Sequence, residues 1–108
     1  MFEEMATVSE VQVTREGAGV RAVLAGSLDG ETAARVRSRL KPLLKEGPRS
    51  VLFDLGSVSY VDRSGVDSLV HAARIAHRLG GEVTLARCPD QVRKMLAALG
   101  YDQLFAYQ

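Results

Sequence analysis

The sequence predicts an α/β domain built on a mixed, mostly parallel β-sheet. Three observations carry that reading. Strand-like and helix-like stretches alternate in the order β-β-α-β-α-β-α-β from about residue 10 to the end. The helical stretches stand between strands that need crossovers, which implies parallel neighbours joined by right-handed connections. Ser50 to Leu55 is nearly continuously apolar, the pattern of a central strand buried on both faces.

The elements follow in order. Residues 1–9 are weakly patterned and read as a poorly ordered lead-in, with the domain occupying residues 10–108. Val11 and Val13 alternate with Gln12 and Thr14, a half-buried strand. Glu16-Gly17-Ala18-Gly19 is a turn into a second strand, Val20 to Ala25, so the first two strands form a hairpin. Gly26 to Gly30 ends it. Residues 30–46 read as a helix with Ala33, Val36, Leu40 and Leu43 on one face and Asp29 as N-cap. Pro42 should bend that helix or weaken its last turn. Gly47-Pro48 breaks the chain before the Ser50–Leu55 strand, and Gly56 to Val61 reads as a returning loop.

A second helix spans residues 64–79, with an apolar face of Val66, Leu69, Val70, Ala73, Ala76 and Leu79 and a glycine stop at Gly80-Gly81. Ser64-Gly65-Val66-Asp67 fits a capping box at its start. Glu82 to Ala86 is a fourth strand. Pro89 at the first helical position opens a third helix that buries Val92, Leu96 and Leu99 and ends at Gly100. Leu104 to Tyr107 closes as a short strand.

Composition narrows the function. The 108 residues suit one domain, and a net charge of +1 lacks the cationic excess of a nucleic-acid surface. The single cysteine, Cys88, excludes an internal disulfide and suits a reducing cytoplasm. The acidic start Met1-Phe2-Glu3-Glu4-Met5 is unlike a signal peptide, and no apolar run approaches the ~18 residues of a membrane span. The expectation is a cytoplasmic protein with no direct membrane insertion.

Chemistry is hard to find. There is no P-loop, dinucleotide fingerprint, H-E-x-x-H pair or G-x-S-x-G elbow. His71 and His77 lie six apart, roughly 600° of helical rotation, so they do not converge on a metal. Asp67 stands one turn before His71, and His77 falls near its helix end. Cys88 sits at a helix start, a place that lowers a thiol's pKa, but packing or capping is its simpler role. Asp54 and Asp62 lack a catalytic partner and read as solvated or capping acids. No cofactor, metal or catalytic residue is expected, and the protein is not read as an enzyme.

Two stretches together resemble one family. Ala25-Gly26-Ser27-Leu28-Asp29, followed by Gly30-Glu31-Thr32-Ala33, looks like the strand-to-helix motif G-x-L-D-x-x-T-A of the STAS domains, the anti-sigma-factor antagonists and their relatives. Val51-Leu52-Phe53-Asp54-Leu55, then Val58-Ser59-Tyr60-Val61-Asp62-Arg63-Ser64-Gly65-Val66, looks like the family's V-x-D-L-S-x-V-x-F-I-D-S-S-G-L. Gly80 to Leu85, Val92 to Leu96 and Leu99-Gly100 resemble its closing strand, helix and turn. The likeness runs from about residue 10 to the C-terminus. It implies a single-domain STAS-like fold with the helices packed on one side of the sheet.

The resemblance also implies a switch. An anti-sigma factor that is also a serine kinase grips the domain and phosphorylates the residue after the motif's Asp. In this chain that residue is Arg63, which has no hydroxyl. The usual switch is therefore absent or has moved to Ser64, the candidate phosphorylation site. Arg63, Asp67, His71, Arg74 and Arg78 form a polar stripe down the second helix, which reads as a solvated face or as a docking face. The expected partner-docking residues are Asp29, Tyr60, Asp62, Arg63, Ser64, Gly65, Asp67, His71 and Arg74, and the expected partner is an anti-sigma factor/serine kinase-like protein. The alternative is an accessory subunit of a lipid-transporting ABC complex, docking on its ATPase. The looser signature V-x-x-V-D-x-x-G-L of that group is also met, by Val58 to Val66.

Overall fold

The computed structural model describes residues 10–45 and 50–108. The lead-in read at 1–9, the last residue of the first helix at 46 and the Gly47-Pro48 break lie outside the described residues. The elements are β1 (Glu10–Glu16), β2 (Gly19–Leu28), α1 (Gly30–Leu44), β3 (Ser50–Val61), α2 (Arg63–Arg78), β4 (Glu82–Ala86), α3 (Asp90–Ala98), a 3₁₀ turn (Asp102–Leu104) and β5 (Ala106–Tyr107).

The five strands lie in sequence order, β1-β2-β3-β4-β5. β1 and β2 form the antiparallel hairpin, and every later pair is parallel. A sheet that grows in one direction through right-handed crossovers places all its helices on the same face. The burial pattern agrees. Val20, Ala22 and Leu24 of β2, Val51, Phe53 and Leu55 of β3, and Val83 and Leu85 of β4 alternate along their strands and are almost fully buried. They meet Val36 and Leu40 of α1, Val66, Leu69 and Ala73 of α2, and Val92 and Leu96 of α3 in one core.

The other face carries no helix among the described residues. Arg21, Leu52 and Thr84 make one row across it, and Val23, Asp54 and Ala86 the next. β3 is therefore not covered by helices on both faces, as its apolar run suggested, and Leu52 is only half-buried. Asp54 nonetheless is 4% exposed, because two arginines close over it.

Several boundaries differ from the sequence reading, each for a local reason. The stretch 56–61 is not a loop: β3 continues to Val61 beside Ala25–Leu28 of β2, with two register shifts that spoil the simple alternation. α2 starts at Arg63 because Asp62, not Ser64, is its N-cap. Pro89 is the N-cap of α3, so that helix starts one residue later than expected, at Asp90. The closing strand is only Ala106–Tyr107, since residues 102–104 wind into the 3₁₀ turn. Pro42 sits within α1, which still runs as one helix through Leu44. Its ring is on the exposed side, and it can offer no N–H to the Ser38 carbonyl.

Candidate docking end of the sheet

The N-termini of α1 and α2 meet at one end of the molecule. β2 and β3 finish side by side, with Ser27 opposite Tyr60 and Leu28 opposite Val61. Each strand then turns directly into its helix through an aspartate. Asp29 accepts from the Thr32 backbone N–H at 3.1 Å, and Asp62 accepts from the Gly65 N–H at 3.0 Å. Each carboxylate satisfies an amide that the helix leaves unpaired and places negative charge at the positive end of its dipole. The two caps are joined: the Asp62 N–H donates to the Leu28 carbonyl at 3.1 Å. Thr32, buried beneath Asp29, donates its hydroxyl to the Ser27 carbonyl at 2.6 Å.

Gly65 explains how close the approach is. A Cβ there would collide with the Leu28 carbonyl. The glycine lets the first turn of α2 rest on the end of β2, and it is buried. Its place in the motif is thus structural.

Ser64 emerges as an exposed side chain in the first turn of α2, facing the start of α1; a Cβ on Gly30 would lie 3.8 Å from the Ser64 Cβ. The expected capping box does not form, because Asp62 already occupies the cap and Asp67 is engaged elsewhere. The Arg63 Nε donates to the Asp67 Oδ1 at 3.0 Å, an exposed pair one turn apart. This pair partly offsets the unfavourable placement of a cation at a helix N-terminus. Tyr60 is 52% exposed; among the described residues Leu79, at the far end of α2, is the other large hydrophobic side chain so exposed.

Thus Asp29, Tyr60, Asp62, Arg63, Ser64, Gly65 and Asp67 fall together. His71 and Arg74 do not join them. Eleven residues of helix separate Arg63 from Arg74, about 16 Å. Arg74 lies over the Tyr101 ring, 5.4 Å from its centroid, so its charge is turned toward its own domain. His71 lies on the rim of a groove between α1 and α2.

One cluster escaped the sequence reading. Asp54 is not a solvated or capping acid. Its carboxylate accepts from Arg87 Nε at 3.0 Å, Arg87 Nη2 at 2.9 Å and Arg21 Nη2 at 3.1 Å, and from the Gly56 N–H at 3.1 Å. Burial pushes the Asp54 carboxyl up. The Gly56 N–H, the Arg87 bonds and charge and the Arg21 charge outweigh burial and hold the group below its ordinary value. Arg87 adopts φ 53°, left-handed backbone unusual for a non-glycine residue. From there its guanidinium crosses β3 at Gly56, where any Cβ would strike it. The signal in the sequence was an acid in an otherwise apolar strand. Its partners lie 33 residues away on either side, so spacing alone gave no hint of them.

Cys88 is half-buried, and burial raises its thiol pKa instead of the helix start lowering it. It packs against the core, the simpler of its two expected roles.

An open five-stranded sheet with all helices on one face, and two helix N-termini meeting at the signature segment, defines the class: a STAS-type α/β domain. The chain belongs to the STAS family described as Mlab, STAS domain, which matches residues 11–106. BtrV of Bordetella bronchiseptica, a protein named for anti-sigma factor antagonism, is 25% identical over 84 residues, 78% of this chain and 72% of its own. Among solved structures, the phosphorylated form of the Bacillus cell fate determinant SpoIIAA superposes with a TM-score of 0.77 at 19% identity, covering 92% of this chain and 91% of that one. An anti-sigma factor antagonist from Mycobacterium paratuberculosis gives 0.79 at 16% identity, covering 94% and 86%. The domain is thus of the anti-sigma-factor-antagonist-like STAS kind. No helix among the described residues is long and apolar enough to cross a membrane.

Proposed function

We propose that this domain is a non-catalytic cytoplasmic regulator that docks on an anti-sigma factor/serine kinase-like protein through the end formed by Asp29 and Tyr60 to Val66. The observation that carries the reading is the exposure of Tyr60 beside two capped helix N-termini, in the segment whose sequence most resembles the family's signature. An exposed aromatic ringed by polar groups is the composition of an interface anchor. The site supplies no nucleophile–base pair, so binding is the chemistry it suits.

Arg63 takes the place of the usual phosphoacceptor, so the domain is held in the binding-competent state unless Ser64 takes over the switch. Ser64 is suited to that role by its exposure and by its release from capping. Phosphate there would bring roughly −1.5 to −2 charges beside Arg63 and the N-termini of both helices, tolerable in the free domain and disruptive in a contact. Incubation with the cognate kinase and ATP, followed by mass spectrometry, tests the relocated switch: phosphate on Ser64, lost in Ser64→Ala, is expected, and no labelling at any kinase level rejects it.

Arg63 also favours a second reading, an accessory subunit docking on the ATPase of a lipid-transporting ABC complex, since such a role needs no phosphoacceptor. Gene neighbourhood tests the choice: permease and ATPase genes beside this one would support that reading, and a kinase or sigma-factor gene would support the first.

A further inference from the structure

We propose that the groove between α1 and α2 binds a single-chain anionic amphiphile, such as a medium-chain carboxylate. The groove has a volume of about 370 Å³, within the range of small-molecule sites. Its floor is mostly aliphatic, with Val36, Leu40 and Leu44 from α1 and Ala72 and Ile75 from α2, beside the polar Ser38, Ser68 and His71. Its rim carries Arg37 and Lys41, exposed and one helical turn apart. Like charges at that spacing repel. Among the described residues neither has an acidic partner: Glu31 lies beside Arg35, and Asp67 is taken by Arg63.

An apolar trough with a paired cationic edge matches a molecule that has an aliphatic tail and one anionic head. The head relieves the repulsion between Arg37 and Lys41, and the tail covers the floor. From Val36 to Leu44 the groove follows roughly 12 Å of α1. A free anion leaves the floor wet, and a neutral chain leaves the two cations unpaired. The groove begins beside Asp67 at the edge of the docking end, and the inference does not rest on the proposed partner.

The test titrates the full chain with decanoate below its micelle concentration, followed by ¹H–¹⁵N spectra. Saturable shifts confined to the facing turns of α1 and α2 are expected. Affinity should fall about fourfold for each methylene removed from decanoate to octanoate, the equivalent of burying one CH₂. Arg37→Gln with Lys41→Gln should weaken decanoate about tenfold and leave decanol unchanged. Ala72→Phe should block the floor; if it disturbs the native spectrum, the exposed double variant decides alone. The proposal is overturned by the absence of saturable shifts, by shifts confined to the open sheet face, or by decanol binding as tightly as decanoate.

Discussion

Replacing Asp54 offers the most quantitative check on the structure. Its carboxylate is 6% exposed and collects three N–H bonds from two guanidinium groups and a fourth from the Gly56 backbone. A hydrogen bond to a charged group contributes about 1.5–3 kcal/mol net. The full sum is not recovered here, because the side chains of Arg21 and Arg87 are 39% and 65% exposed and regain water when the acid is lost. Asp54→Ala should therefore cost about 2–3 kcal/mol. Asp54→Asn keeps an acceptor for Gly56 but loses the charge, and should cost about 1–2 kcal/mol. Urea unfolding at pH 7 reads both.

The pH dependence supplies the sign. The native pKa of Asp54 is lowered, so its contribution is present above the unfolded-state value near 3.9 and is lost as pH falls through the native value. The wild type should lose stability more steeply than Asp54→Asn below about pH 4. A variant within about 0.5 kcal/mol of wild type at pH 7, or with the same acid slope, would refute the cluster.

Other expectations follow from the docking end. Gly65→Ala forces a methyl into the Leu28 carbonyl and should cost about 1–3 kcal/mol or more, read as a lower urea midpoint. Asp62→Ala should cost about 1 kcal/mol, whereas Ser64→Ala should stay within about 0.5; the reverse order would restore the capping box. Arg63→Ala removes an exposed pair and should change stability by less than about 1 kcal/mol in the same titration.

The sequence was most informative where structure is local. Asp29 announced itself as a cap, the glycine stop at Gly80 lay where expected, and the periodicity of α2 identified its buried face except Leu79, which is the C-cap and is 48% exposed. Long-range pairing was less legible. The continuation of β3 to Val61 depends on β2 lying beside it, and two register shifts hide the period of two that would have marked a strand. Two side chains, Asp62 and Ser64, competed to cap the start of α2, and spacing alone favoured Ser64 with Asp67. The choice fell to Asp62 because the end of β3 is held by the Leu28 carbonyl, which fixes where the helix begins. Arg74 looked like part of a docking stripe until the fold brought Tyr101 beneath it.

The central claim is docking through Tyr60 to Val66, and its direct test is an affinity measured with a defined partner. An anti-sigma factor/kinase-like protein captured with this chain from native cells is purified and titrated against wild type and Tyr60→Ala/Arg63→Glu. Tyr60 is exposed and Arg63 contributes little to stability, so the variant should fold normally. The account predicts binding about 30-fold weaker or more, the loss expected when an interface anchor is removed. Undiminished affinity of the folded variant would contradict it and place the interface on another face.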